Sequence, residues 1–95
     1  MRTAIYLLAY EGTPCRDTND GVGGAMVNAW VVADSPCSAD ERARRSLRLA
    51  GWIVGEPDEV TTPHRPDLTG IAAARYDQAT IDGEVFSIHS YPDVR

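Results

Sequence analysis

Two cysteines and two histidines are the residues of this sequence best suited to nucleophilic or metal chemistry. Cys37 precedes Ser38, where we expect a helix to begin. Unpaired amide groups and the helix dipole at such a place lower the pKa of a thiol, which favours a nucleophile or a redox thiol. No partner for the thiol is visible in the sequence. Thiol chemistry at Cys37 therefore stays an alternative, and we expect a protein that is not an enzyme and has no catalytic residues.

The spacing of the available ligands does not predict a metal or cofactor site. Cys15, Cys37, His64 and His89 contain no local pair of the kind that holds zinc, such as two cysteines separated by two to four residues. The run 17–21 is similar to a calcium-binding loop, but its glycine stands at the fifth position, where an EF-hand loop has it at the sixth. We expect neither a bound metal nor a cofactor.

The composition excludes several classes of protein. The chain has 95 residues, nine arginines and no lysine, fourteen acidic residues and a formal net charge of −5. This length supports one domain, and no apolar run approaches the roughly 20 residues that a membrane-crossing helix needs. The acidic balance argues against direct binding of nucleic acid. Two cysteines do not make a disulfide framework, so we expect free thiols and a cytoplasmic protein with no membrane partner.

Hydrophobic patterning predicts four strands and two helices in the order ββαβαβ. The predicted strands are 3–10, 25–33, 52–60 and 84–91. Between the first two strands, residues 11–24 hold four glycines and a proline and are predicted to form a long loop. The third strand contains Gly55 and Pro57, which favours a position at a sheet edge.

Capping and stop signals predict the two helices. Ser38 and Glu41 form a capping box for the first helix, which ends at Gly51. The second helix has Asp67 as its cap and ends at Gly83. The simplest arrangement packs both helices on one face of a mostly antiparallel four-stranded sheet. The predicted fold is therefore an α+β two-layer sandwich that forms a single domain, 1–95.

One face of this sheet is expected to stay uncovered. The strand 25–33 has small apolar residues on one side, suited to close helix packing, and larger residues on the other. The residues expected on the uncovered side are Met26, Trp30, Tyr6, Tyr10, Ser87, His89 and Tyr91. Its aromatic residues, together with His89, are candidates for binding a partner, since an exposed aromatic patch indicates an interface or self-association. The alternative is that the loop covers this face or that these residues form ordinary core.

Charge is distributed unevenly along the chain. The excess of acid lies in 49–95, and the acidic candidates for contact with a basic partner are Glu56, Asp58, Glu59, Asp77, Asp82 and Glu84. Four arginines lie close together in 42–48. Because Asp40 and Glu41 precede Arg44 and Arg45 by four residues, we expect paired charges on a solvated helix face. The acidity of the rest of the chain speeds association with a basic partner.

Two resemblances follow from these residues and properties. Small bacterial α+β domains are similar to the passage 25–52 and to three short stretches, Tyr76–Ala79, Asp82–Phe86 and His89–Pro92. In size, acidity and lack of catalytic residues, the chain resembles small inhibitors encoded by phages and mobile elements, including anti-CRISPR proteins. The second resemblance implies an inhibitor of a larger host complex, and it assigns a role to no single residue.

The sequence therefore predicts a non-enzymatic domain that binds a basic protein partner through acidic and aromatic residues. An inhibitor of the phage type is the specific form of this prediction. The alternative is a cytoplasmic accessory or ligand-binding domain that forms a homodimer through its sheet face. Direct binding of nucleic acid or of a membrane is expected in neither case.

Overall fold

The computed structural model describes residues 3–14 and 22–92 as an antiparallel sheet of five strands with two helices. The elements are β1 Ala4–Pro14, β2 Val22–Ala33, α1 Pro36–Leu49, β3 Trp52–Val54, β4 Glu59–Thr61, α2 Gly70–Asp82 and β5 Glu84–Pro92. The predicted α+β class is confirmed. Both ends of the predicted loop 11–24 are strand, and its residues 15–21 lie outside the described residues. Neither described helix is long and apolar enough to cross a membrane.

The centre of the sheet is an antiparallel hairpin of β1 and β2. Its register runs from Ala4 opposite Ala33 to Gly12 opposite Ala25. Strand β5 pairs with the other side of β2, while β3 and β4 both pair with the outer side of β1. In the described part of the chain, β5 therefore forms one edge of the sheet, and β3 and β4 together form the other.

The predicted edge strand 52–60 is divided in two, so the sheet has five strands and not four. Strands β3 and β4 pair with two stretches of β1 that are separated by only two residues. Four residues, 55–58, connect β3 to β4, and this connection leaves the sheet edge. Gly55 and Pro57 favour the departure because neither residue suits a regular strand.

Helix α1 begins about one turn earlier than the capping box predicts. Its N-cap is Ser35, whose hydroxyl accepts a 3.1 Å hydrogen bond from the amide of Ser38. Pro36 follows at the first helical position, which suits proline because the amide that it lacks would have no partner there. The predicted end is confirmed, since Gly51 follows the helix with φ at 96°. Glycine adopts this left-handed conformation without the strain that a side chain would cause.

Helix α2 begins later than predicted. Its N-cap is Thr69, whereas Asp67 ends a short 3₁₀ turn, Arg65–Asp67. Its end is as predicted, because Gly83 follows the helix with φ at 88°. Gly83 thereby turns the chain directly from α2 into β5, which begins at Glu84.

The two helices lie on opposite faces of the sheet, so the prediction that both cover one face is wrong. Helix α1 buries its alanines and Leu47 against the odd-numbered residues of β2, from Ala25 to Ala33. Helix α2 buries Ala79 on the other face, against Trp30 of β2 and Ile5 of β1. Successive side chains of a strand point to opposite faces, and β2 is apolar on both, so each face needs a cover. The described fold therefore has three layers.

Candidate functional site

Helix α2 covers only one half of its face of the sheet. The sheet residues that pack around it are at the start of β1 and in the adjoining parts of β2 and β5. Beyond them, the register places the remaining residues of this face in rows across the strands. We name this surface the open half-face, and its residues are Glu11, Met26, Asn28, Glu59, Ser87, His89 and Tyr91.

Apolar and aromatic side chains of the open half-face are accessible. Met26 is 46% exposed and Tyr91 is 38% exposed. His89, which is also exposed, pairs with Met26 across β2 and β5, and Tyr91 follows it by two residues on the same face. A thioether, an imidazole and a phenol ring therefore lie close together. Side chains of this kind are enriched at protein interfaces and supply much of their binding energy.

Tyr91 is held in place by Gly24 and Glu11. A Cβ atom at Gly24 would lie only 2.7 Å from Cζ of Tyr91, so the tyrosine lies directly against the backbone of β2. The Tyr91 hydroxyl donates a 3.1 Å hydrogen bond to Oε1 of Glu11. This hydrogen bond is the main reason that the pKa of Tyr91 is raised above its ordinary value. The ring is thus oriented before any partner binds, which reduces the entropy that binding would lose.

The open half-face is acidic. The described strands contain no arginine, whereas Glu11 and Glu59 both lie on this face. The connection 55–58 adds two exposed carboxylates at the neighbouring edge, Glu56 and Asp58. Within the described ranges, none of these four carboxylates is in an ion pair. The charge of Glu11, Asp58 and Glu59 is therefore available to a basic partner. Glu56 also acts on Arg44, whose pKa is raised mainly by the hydrogen bond to Asp40 and, to a lesser extent, by Glu56.

Glu84, which the sequence suggested as a partner-binding acid, is engaged by α1. It accepts a hydrogen bond from Arg42 at 3.3 Å and another from the hydroxyl of Ser46. Glu84 pairs with Val31, which places it on the face that α1 covers. The contact joins β5 to α1, and the carboxylate is turned away from the open half-face.

Asp77 and Asp82, two further candidates for binding a basic partner, are engaged on α2. Asp77 accepts two hydrogen bonds from Arg65, at 2.8 and 2.9 Å, and they lower the pKa of the Asp77 carboxyl. Asp82 accepts a 2.6 Å hydrogen bond from Gln78. Three of the six acidic candidates, Asp77, Asp82 and Glu84, are therefore engaged within the fold by hydrogen bonds or ion pairs. The other three, Glu56, Asp58 and Glu59, lie in and beside β4 and have no such contact among the described side chains.

Three of the five candidates for the aromatic patch do not lie on the open half-face. Trp30 is on the same face but beneath α2, where it is only 6% exposed. Tyr6 and Tyr10 point to the α1 face instead, because the register pairs even-numbered residues of β1 with odd-numbered residues of β2. His89 and Tyr91 lie together on the face where they were predicted.

The buried hydroxyl of Tyr10 is bound from α1. It donates a 2.6 Å hydrogen bond to Asp40, which also accepts one from Arg44 at 2.9 Å. Burial above all, and then the contact with Asp40, raises the pKa of Tyr10 well above its ordinary value of 10.0. The predicted pair of Asp40 with Arg44 is thus confirmed. The predicted pair of Glu41 with Arg45 does not form among the described side chains.

An open cleft of about 380 Å³ lies between α1 and β3. The residues that line it are Glu41, Arg44, Arg45, Arg48, Trp52, Ile53 and Val54. From the sequence, the arginines were expected on a solvated helix face, and the cleft was missed because it forms only where α1 passes beside the edge strand. The available signal was the spacing of the three arginines, which places all of them near one side of the helix.

The thiol and imidazole groups are dispersed over the described chain. Cys37 is exposed at the second position of α1. His64 lies 3.3 Å from Asp67 on an exposed turn, and His89 belongs to the open half-face. Cys15 lies outside the described residues. In residues 3–14 and 22–92, no three His, Cys, Asp or Glu side chains are grouped as a metal ion would require.

Comparison with known proteins assigns no family to the chain. No protein-family model, no curated protein and no solved structure matches it. Its function is therefore inferred from the geometry and charge of its own surfaces.

Proposed function

We propose that the protein is a non-enzymatic binding domain whose open half-face docks on a basic surface of a larger protein or protein complex. The observation that carries the proposal is the half-covered sheet face. Helix α2 buries one half of that face, and the other half presents Met26, His89 and Tyr91 beside the carboxylates of Glu11 and Glu59 on β1 and β4.

Apolar contacts would supply most of the affinity. Burying the exposed parts of Met26 and Tyr91 would stabilise a complex by about 1 kcal/mol each, since full burial of a large apolar side chain contributes about 1.5–3 kcal/mol. Tyr91 adds more than its area because Glu11 already holds its hydroxyl. These side chains are the anchors of the proposed interface.

The carboxylates would select the partner and accelerate the encounter. Glu11 and Glu59 lie on the open half-face, and the chain as a whole has a net charge of −5. Such a surface is attracted to a basic protein over a distance of about 10 Å at ordinary salt, and it is repelled by nucleic acid and by anionic lipid. The same repulsion disfavours a homodimer through this face, because it would bring the carboxylates of two copies together.

The specific form of the proposal is an inhibitor that acts in the cytoplasm. A basic protein surface is often the place where phosphate groups bind, so an acidic domain that covers it competes with that ligand. Size and acidity resemble the small inhibitors of phages and mobile elements, including anti-CRISPR proteins. This likeness supports the class of function and does not name the target.

The test compares two double variants with the same change of charge. Glu11→Gln with Glu59→Gln removes both carboxylates from the open half-face, and Asp77→Asn with Asp82→Asn removes two that are engaged on α2. Each form is used to capture proteins from lysate of the source cells, and association kinetics with a captured protein are then measured at several salt concentrations. We expect the first variant to associate several-fold more slowly, with a weaker dependence on salt, and the second to resemble the wild type.

Affinity is tested separately by replacing the anchors. Met26→Ser with Tyr91→Ser is expected to increase the dissociation rate constant about tenfold, with circular dichroism confirming that the variant is folded. Capture alone does not support the proposal. The proposal would be rejected if the wild type and the Glu11/Glu59 variant had equal association rate constants, or if the Asp77/Asp82 variant had the same effect as the Glu11/Glu59 variant. It would also be rejected if no captured protein distinguished the two variants.

A further inference from the structure

The cleft between α1 and β3 lies beside a free edge of the sheet. Strand β3 pairs with β1 along one side, and no described strand pairs along its other side. Main-chain groups on such an outer side are a template for one more strand. Strand β3 also contributes Trp52, Ile53 and Val54 to the lining of the cleft. The main chain of β3 is therefore available beside the cleft, where Trp52 is only 8% exposed and Ile53 is 52% exposed.

The arginines of α1 give this cleft a positive charge in an otherwise acidic chain. Arg44 is fixed by its 2.9 Å hydrogen bond to Asp40. Arg45 and Arg48 have no acidic partner within 4.0 Å among the described residues. Glu41 also lines the cleft and offsets part of this charge, and Arg45 and Arg48 are the two of its three arginines that are not in an ion pair among the described residues. A guanidinium group recognises a carboxylate through paired, charge-assisted hydrogen bonds.

We infer that this cleft binds an extended acidic segment of a partner protein, which pairs as an added strand with the outer side of β3. Successive side chains of a strand point to opposite faces, so every second residue of the segment meets the arginines of α1. The residues between them meet Ile53, which pairs with Thr13, points to the opposite face and is 52% exposed. The segment is therefore one in which acidic and apolar residues alternate.

The edge strand favours a peptide over a nucleic acid as the occupant. Another peptide strand satisfies the main-chain groups of β3, whereas the affinity of nucleic acid rests on many phosphate contacts. The cleft has about 380 Å³ and three arginines, which suits a few carboxylates better than a long polyanion. The net charge of −5 would also repel a long polyanion.

A second copy of this chain is a poorer occupant of the cleft. Two β3 strands paired about a two-fold axis would bring two sets of arginines together, at a cost in free energy from like charges. The arginines of the cleft lie on α1, on one side of the sheet, and the open half-face lies on the other side, to which Ile53 also points. The inference about the cleft therefore does not depend on the function proposed for the open half-face.

Two labelled peptides of the same composition provide the test. One has the sequence Gly-Glu-Ile-Glu-Ile-Glu-Gly, and the other has the sequence Gly-Glu-Glu-Glu-Ile-Ile-Gly. Binding to the wild-type protein is measured by fluorescence anisotropy. We expect the alternating peptide to bind about tenfold more tightly than the block peptide, because only the alternating one presents all of its carboxylates to α1 when it is paired with β3.

Single variants with matched changes locate the site. Arg48→Glu is expected to weaken the binding of the alternating peptide about tenfold, and Ile53→Ser is expected to weaken it several-fold. Arg75→Glu is the control, since it reverses a charge on α2, and we expect it to change the binding less than about twofold. Circular dichroism establishes that each variant is folded. The inference would be overturned if the alternating peptide did not bind or if the two peptides bound equally. It would also be overturned if Arg48→Glu and Arg75→Glu had equal effects on binding.

Two further measurements distinguish the other occupants. A single-stranded oligonucleotide that binds more tightly than the alternating peptide and loses affinity in Arg48→Glu would assign the cleft to nucleic acid. A concentration-dependent dimer, measured by light scattering and abolished by Arg48→Glu, would assign it to a second copy of the chain. Either result would overturn the inference.

Discussion

The hydroxyl of Tyr10 in β1 donates a 2.6 Å hydrogen bond to the carboxylate of Asp40 in α1, and Arg44 donates to the same oxygen at 2.9 Å. The tyrosine is fully buried, so its hydroxyl needs a partner within the protein. The arginine lines the cleft beside β3. A side chain in the centre of the sheet thus helps to position a charged group at its edge.

Replacement of Tyr10 by phenylalanine is expected to destabilise the fold by about 1–2 kcal/mol, because the hydrogen bond to a charged group is lost while the ring stays buried. Urea denaturation measures the change. Tyr6→Phe is the matched control, since Tyr6 is half-buried on the same face and its hydroxyl has no hydrogen bond among the described residues. An equal loss of stability in the two variants would contradict the role assigned to the Tyr10 hydroxyl.

Stability is expected to decrease at alkaline pH. The pKa of Tyr10 is raised in the folded protein, mainly by burial, so the folded state holds the phenolic proton more tightly than the unfolded chain. This contribution is complete below pH 10.0, the ordinary value for tyrosine, and is lost progressively as the pH rises above it. Urea midpoints between about pH 8 and about pH 11 measure the loss. Tyr10→Phe should show a flatter profile, and the same slope in both proteins would be evidence against this assignment.

Gly24→Ala is expected to displace the ring of Tyr91. The new methyl group would lie 2.7 Å from Cζ of the ring and 3.0 Å from the carbonyl oxygen of Gly12, both closer than ordinary contacts. We expect a loss of about 1 kcal/mol in stability from this crowding. A double-mutant cycle with Tyr91→Ala measures the coupling. If the two changes prove additive, the crowding does not involve the Tyr91 ring.

Gly83→Ala is expected to destabilise the protein by about 1 kcal/mol, because Gly83 has φ at 88°, where a side chain is strained. Thermal and urea denaturation both report the change. Gly55→Ala is the control, since Gly55 does not have a positive φ and a Cβ atom there would have nothing within 4 Å. A Gly55 variant as unstable as the Gly83 variant would show that the loss is not due to the left-handed turn.

The placement of the helices shows which part of the fold the sequence could predict. Strands β2 and β3 both run antiparallel to β1, which lies between them, so α1 joins two parallel strands. Such connections have one hand, and this places α1 on one definite face. Helix α2 joins strands at opposite edges that run in opposite directions, and no rule of handedness assigns its face. Trp30 was the available signal, since a large apolar side chain on the second face of β2 needs a cover.

The candidate site was predictable only within single strands. Alternation in 84–91 places His89 and Tyr91 on one face, and the structure has them together. Tyr6 and Tyr10 were assigned to the wrong face because alternation within β1 does not give its register against β2. A shift of one residue moves every side chain to the other face. That register depends on how the two strands are paired, and the pairing cannot be read from the composition of either strand.

The strand order also has a consequence for synthesis of the protein. Strand β5 pairs with β2, yet Glu84 follows Ala33 by about fifty residues. At a translation rate of roughly 5–20 residues per second, one side of the apolar strand β2 stays unpaired for about 2–10 seconds after the hairpin has been made. Unpaired strand edges associate with other chains. The nascent chain is therefore most prone to aggregation in this interval. Substitutions on the surface of the folded protein do not change the duration of the interval.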